Sequence, residues 1–222
     1  MLLLAADTSG KHGSIALARC GPGDVCEAIE VVPLEGGTFS AQLVPQFAAL
    51  LAKHGFTKHD IDGFAVVSGP GSFTGLRIGL AAVKALAEVL SKPIAAVSFL
   101  EAIAVSGSPG KLIAILDAGR GDLYAGEYAV SSFGAHLVSE RLLTREELIA
   151  SAADSLVVTA DPSLANALRV AEVEVREIDL PRADAIARLG WQKILAGKTI
   201  SSQELDANYL RRSSEIFSRT SS

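Results

Sequence analysis

Apolar and polar positions change period repeatedly along the chain, and each change marks an element. Leu2 to Ala6 is an unbroken apolar run that closes on Asp7 and reads as a strand. The polar turn Asp7-Thr8-Ser9-Gly10-Lys11-His12-Gly13 follows, then a second strand from Ser14 to Ala18. Gly21-Pro22-Gly23 marks a tight turn, and Val25 to Leu34 alternates partially, as a third strand would. After Ser40, Leu43, Phe47, Leu50 and Leu51 recur at helical spacing, with Pro45 tolerable in the first turn. Ile61 to Val67 is a short, nearly all-apolar strand of the kind buried on both faces. Ser68 to Ser72 then turns into a helix from about Thr74 to Leu90, followed by a strand at Ile94–Val97 and a short helix at Leu100–Val105.

At Ser106-Gly107-Ser108-Pro109-Gly110 the pattern restarts. Lys111 to Leu116 is an apolar run leading into Asp117-Ala118-Gly119-Arg120-Gly121, with further strands at Leu123–Val130 and about His136–Leu143. Leu3-Leu4-Ala5-Ala6-Asp7 therefore matches Ala114-Ile115-Leu116-Asp117, and Gly13-Ser14-Ile15 matches Gly121-Asp122-Leu123 as the hairpin's return. Helices at about Arg145–Ala152, Pro162–Val170 and Arg182–Ala196 alternate with strands Leu156–Thr159 and Val173–Ile178. This predicts a duplicated α/β fold, in which each half has three antiparallel strands and then alternating helices and strands. The expected lobes are residues 1–106 and 107–222, each a mixed sheet flanked by helices.

Composition narrows the function classes. A chain of 222 residues that is 49% hydrophobic and 20% charged buries a sizeable core and is not disordered. A formal net charge of −5 argues against coating nucleic acid by bulk electrostatics. No stretch reaches the length of a membrane span, since Ser98 and Glu101 break the richest run, Pro93 to Val105. The first residues lack the basic flank of an export signal. The expectation is a soluble cytoplasmic protein in which Cys20 and Cys26, though near enough to pair, stay free thiols.

The most specific segment is Ser68-Gly69-Pro70-Gly71-Ser72-Phe73-Thr74-Gly75-Leu76-Arg77-Ile78-Gly79. It reads as a strand, a glycine-rich turn and a helix start, with Ser72 and Thr74 as capping residues. Such a turn is a generic connection or an anion site, but no Lys-Ser/Thr follows at P-loop spacing. Gly75, Gly79 and Ala82 share one helical face almost bare of side chain. Glycine costs about 1 kcal/mol per helix position, so the face needs a compensating close contact, inside the chain or across a subunit interface.

Asp7-Thr8-Ser9-Gly10 and Asp117-Ala118-Gly119 are the duplicated loops. They are either ordinary hairpin turns or a pair of loops that holds a metal–nucleotide. A Gly-Gly pair opening a late helix, as an adenosine pocket would want, is missing, because Gly36-Gly37 lies in the other half. His54 and His59 read as exposed imidazoles at a charged helix end, with His12 and His136 isolated. Glu127, Glu140, Glu146 and Glu147 read as solvated faces, and no Gly-x-Ser-x-Gly elbow occurs. No catalytic residue and no metal ligand set emerges. The tail from Asp206 to Phe217, with Tyr209, Arg211 and Arg212, is a solvated terminus or a small RNA-contacting patch.

Together these residues resemble the TsaB (YeaZ) family. The segment Ser68 to Gly79 carries the resemblance, supported by Leu-Ala-Ala-Asp-Thr-Ser at the start, Gln42-Leu43-Val44-Pro45, Asp117 to Tyr124, and Tyr209-Leu210-Arg211. Thr38-Phe39 and Ala207 depart from the family pattern, where an acidic residue with histidine and a proline often stand. The resemblance implies an actin/Hsp70-like (RNase H-like) duplicated fold without its own catalysis. It also implies a partner role in forming threonylcarbamoyladenosine (t6A) at adenosine 37 of tRNAs reading ANN codons. The implied partners are the metal-bearing transferase TsaD, the ATPase TsaE and, for the chain alone, a second copy, with tRNA met only through the complex and no membrane. No intrinsic cofactor is implied, with ATP or ADP expected only at the TsaD interface. The implied contact residues lie at the two helix starts: Ser40, Leu43, Val44 and Phe47 on the first, and Gly71, Phe73, Thr74, Gly75, Leu76, Arg77, Gly79, Ala82 and Val83 on the second. The alternative is an ATP-dependent phosphotransferase or ATPase of the same superfold, using Asp7, Thr8, Ser9, Asp117 and Gly119.

Overall fold

The computed structural model describes residues 1–132, 134–152, 155–208 and 210; of the basic tail, Tyr209, Arg211, Arg212 and the residues after them lie outside the described residues. β1 (Leu2–Asp7) and β2 (His12–Cys20) pair antiparallel with Leu4 opposite Leu17 and Asp7 opposite Ser14, and β3 (Cys26–Glu35) continues the meander. β4 (Gly63–Gly69) and β5 (Ile94–Ser98) add on the other side of β1 in parallel, giving the order β3-β2-β1-β4-β5. Parallel neighbours need crossovers. α1 (Phe39–Lys53) and a 3-10 turn at Lys58–Asp60 make the first, and α2 (Phe73–Leu90) the second.

α3 (Phe99–Val105) leads into a second sheet. β6 (Gly110–Gly119), β7 (Asp122–Ser131) and β8 (Gly134–Thr144) form the meander, and β9 (Leu156–Thr159) and β10 (Val175–Glu177) the parallel side. The order β8-β7-β6-β9-β10 repeats the first sheet strand for strand, with α4 (Arg145–Ser151) and α5 (Pro162–Val170) as crossovers. This is a duplicated α/β fold of two mixed sheets with matching strand order, each flanked by helices, as the sequence pattern predicts. Ile113, Ile115, Leu123 and Val157 pack under Leu148, Leu164 and Leu168 as the second unit's core.

The expected boundary differs from the observed one. Met1–Ala102 and Pro181–Ala207 form the first unit, and Ile103–Leu180 belong to the second. The reason is α6 (Ala183–Leu195), which packs on β1, β2, β4 and β5 of the first unit. Gly190 lets this helix lie close, since a Cβ there would come within 2.4 Å of Ala65 Cβ. Ala183 N donates to Ser14 Oγ at 2.9 Å, and Trp191 Nε1 donates to Gly23 O at 3.1 Å. β1 is accordingly buried along its whole length.

The expectation of free thiols is also corrected. Cys20 and Cys26 stand opposite each other in the β2–β3 register and form a disulfide, with Cα atoms 4.0 Å apart. Among the described residues no helix is long and apolar enough to cross a membrane.

Candidate functional site

The glycine-rich segment takes its shape from the turn after β1. Ser72 caps α2, its Oγ accepting from Gly75 N at 3.3 Å, while its own N–H donates to Ser9 O at 2.6 Å. Thr8 Oγ1 donates to Gly75 O at 2.7 Å. A Cβ at Gly71 would come within 2.5 Å of Ser9 O, at Gly75 within 2.0 Å of Thr8 O, and at Gly79 within 2.4 Å of Thr8 Oγ1. The bare face of α2 is thus the seat of the chain's own Asp7–Ser9 turn. This corrects the expectation that Gly75 and Gly79 are bare for a partner. The close contact that the two helical glycines require is internal.

Burial sorts the rest of the expected contact set. Leu43, Phe47, Leu76 and Val83 are all at most 3% exposed and face the first unit's core. They hold the helices in place and cannot reach a partner. Gly71 and Ala82 are half-buried. Ser40, Val44, Phe73, Thr74 and Arg77 are exposed, with Val44 at 49% and Phe73 at 39%. The Arg77 guanidinium lies 3.7 Å over the Phe73 ring, a cation–π contact that fixes both at the start of α2.

The exposed positions extend beyond the expected set. On α2, Phe73, Arg77, Ala81, Ala85 and Val89 recur at every fourth residue, and all are exposed. On α1, which packs against α2, Ser40, Val44, Ala48 and Ala52 do the same. Apart from Arg77, these are two outward ridges of small and apolar side chains. The signal was present in the sequence as the complement of the buried positions Leu43, Phe47, Leu76, Leu80 and Val83.

The nucleotide reading fares differently in the two duplicated loops. Asp7 is 2% exposed, and its Oδ1 accepts from Ser9 N at 2.8 Å and Ser9 Oγ at 2.6 Å. Burial pushes its carboxyl up to about 6, against the pull of the two Ser9 hydrogen bonds. Thr8 and Ser9 are 2% and 4% exposed, with both hydroxyls bonded inside the chain. These residues do not fit a phosphate or a metal–nucleotide. In the second unit Asp117 makes the equivalent turn, Oδ1 accepting from Gly119 N at 2.8 Å, but it is exposed. Strand pairing sets Leu123, not Asp122, opposite Asp117, because a register shift falls between Asp117 and Gly119.

Comparison with known proteins places this geometry. A family model described as TsaD, tRNA N6-adenosine threonylcarbamoyltransferase, matches residues 31–138. A Bacillus subtilis protein named tRNA threonylcarbamoyladenosine biosynthesis protein TsaB is 37% identical over 130 residues, 58% of this chain and 55% of its own length. The Haemophilus influenzae protein of the same name is 27% identical over 226 residues, 95% of this chain and 94% of its own. A solved Pseudomonas aeruginosa structure, described as an uncharacterized protein similar to peptidase YeaZ, superposes with a TM-score of 0.76 at 28% identity, covering 95% of this chain and 99% of that one. The chain is similar to TsaB proteins along nearly its whole length.

In this chain the remaining polar candidates hold the structure together. His54 is not a freely exposed imidazole: its Nε2 lies 2.7 Å from Glu30 Oε2, and Lys53 Nζ lies 2.7 Å from Glu30 Oε1. Hydrogen bonds from Lys53 and then His54 hold the Glu30 carboxyl below its ordinary value. Glu147 is a capping residue, accepting from Thr144 N at 2.8 Å, and Glu127 pairs with Arg141 at 2.6 Å. Glu140 accepts from the Tyr128 hydroxyl and from Asn208 Nδ2. Among the described residues no group of three or more His, Cys, Asp or Glu side chains is placed to share a metal ion.

Proposed function

We propose that this chain is a non-catalytic subunit of the machinery that forms t6A at adenosine 37 of tRNAs reading ANN codons. It acts by docking on a TsaD-type transferase, with TsaE completing the assembly and tRNA engaged only by the complex. The observation that carries this reading is likeness along nearly the whole chain, 95% of it, to a relative named for threonylcarbamoyladenosine biosynthesis. The outward ridges of α1 and α2 support docking, because Val44, Phe73, Ala81 and Val89 give an apolar surface with Arg77, stacked on Phe73, within it. In the isolated chain the same ridges pair with a second copy. The ATPase alternative loses support where Asp7, Thr8 and Ser9 have their polar groups bonded inward.

The test is association in solution. Purified chain and TsaD are mixed and followed by light scattering, with Val44→Arg and Arg77→Glu as ridge variants. Both variants should lower association at least about tenfold while melting like the parent. Undiminished association would remove the docking role. Tight Mg-ATP binding with turnover by the isolated chain, read by calorimetry, would favour the ATPase.

A further inference from the structure

The turn that fills the bare face of α2 touches both helices of the proposed docking surface. On one side Thr8 sits against Gly75 and Gly79, and Ser9 O receives the Ser72 N–H at the start of α2. On the other, Gly13 at the return of the same turn lies under α1, where a Cβ would come within 2.8 Å of the Phe39 ring. Phe39 is the first residue of α1 and is 4% exposed. Asp7 fixes the turn between these contacts by binding both the N–H and the hydroxyl of Ser9. All of these groups belong to the first unit.

We infer that Thr8 is a positioning residue for the docking surface, its hydroxyl locking α2 at the offset from α1 at which the two ridges fit a partner. The inference rests on the docking reading above and adds its control point: a buried residue that touches no partner sets the affinity. Interfaces demand that packed surfaces match closely, so a small shift of one helix against the other is enough to lose contacts. The hydrogen bond from Thr8 Oγ1 to Gly75 O resists that shift from inside the first turn of α2, beside the Ser72 N–H to Ser9 O bond at its start.

The test uses the full chain with TsaD, well below the melting temperature. Thr8→Val keeps the branched shape and deletes the hydroxyl; Thr8→Ser keeps the hydroxyl. Thr8→Val should weaken association about tenfold, and Thr8→Ser should restore it to within about threefold. Val157→Ala, buried in β9 of the second unit, is the stability control and should lower the melting temperature without changing association. Gly79→Ala presses on Thr8 from the helix side and should weaken association as well, which keeps the test decisive should Thr8→Val not fold. If Val44→Arg abolishes association while Thr8→Val and Gly79→Ala leave it intact, the inference fails and the docking reading stands. Equal weakening by Thr8→Val and the Val157→Ala control also overturns it. If none of the variants changes association, the docking reading itself is wrong.

Discussion

An alanine at position 79 would gain about 1 kcal/mol in helix propensity and lose more than that against Thr8. Its Cβ would stand 2.4 Å from Thr8 Oγ1, which can retreat only by giving up its bond to Gly75 O. At Gly75 the obstacle is the Thr8 carbonyl at 2.0 Å, which is backbone and cannot rotate away. Overpacking typically costs about 1–3 kcal/mol. Urea unfolding should therefore show Gly79→Ala mildly destabilised and Gly75→Ala destabilised by about 3 kcal/mol; a Gly75→Ala protein as stable as the parent contradicts this packing. The sequence shows that these glycines need a close neighbour, but not which one, because Thr8 is 67 residues from Gly75. The same turn carries a pH signature. The Asp7 carboxyl rises from 3.8 to about 6 in the folded state, so the native protein holds this proton to higher pH than the unfolded chain does. Its contribution to stability falls as pH rises from near 4 to about 6, by about 3 kcal/mol in all, and stays low above that. Asp7→Asn removes the ionisation and keeps an oxygen acceptor for Ser9. The variant's stability minus the parent's should rise across that window, and a difference flat with pH rules out a raised Asp7.

At the scale of elements, period and punctuation carried most of the information. Leu156–Thr159 and Pro162–Val170 are observed with the expected boundaries, and the structure adds the Asp161 cap that starts the helix. Asp161 accepts from Ser163 N at 2.8 Å and Leu164 N at 3.1 Å, so the cap has both of its usual partners. Asp161→Ala should cost about 1 kcal/mol in the unfolding of the second unit, and Asp161→Ser should recover most of it. No change on removing the carboxylate means that α5 is held by its packing alone. The last strand is shorter than its apolar pattern suggests, Val175–Glu177 instead of Val173–Ile178, although Glu174 O and Ile178 N still bond to β9 at its two ends. The helical spacing of Leu43, Phe47, Leu50 and Leu51 marks the buried face of α1, but the resemblance sets Leu43, Phe47, Leu76 and Val83 at a partner contact, and the structure buries all four in the first unit. What the spacing left open was the meaning of the opposite faces, since a ridge of alanines reads equally as solvent-facing helix and as a seat for another surface. Only the exposure of Val44, Phe73 and Val89 together on paired helices tilts that reading.

For the whole molecule, the duplication was legible in two apolar runs that each close on aspartate, and the matching strand orders repeat it in full. The ownership of the last helix was not. An amphipathic helix says that it needs an apolar face to cover, but two equivalent sheets offer one each, and nothing local names the choice. The choice follows from fit at the buried side of α6: Gly190 against Ala65, and Trp191 reaching back to Gly23. A division after residue 106 would therefore strip the first sheet of Ile186, Leu189 and Trp191, all at most 5% exposed. Burying each of the two aliphatics contributes about 2 kcal/mol, and net domain stability is only about 5–15 kcal/mol. Residues 1–106 alone should melt without a cooperative transition in circular dichroism. Supplying residues 181–207 as a second chain should restore one, because that segment brings back the buried Ile186, Leu189 and Trp191. A cooperative transition in residues 1–106 alone, at the temperature of the intact chain, would mean that α6 adds nothing to the first unit and that the two lobes divide where the sequence pattern restarts.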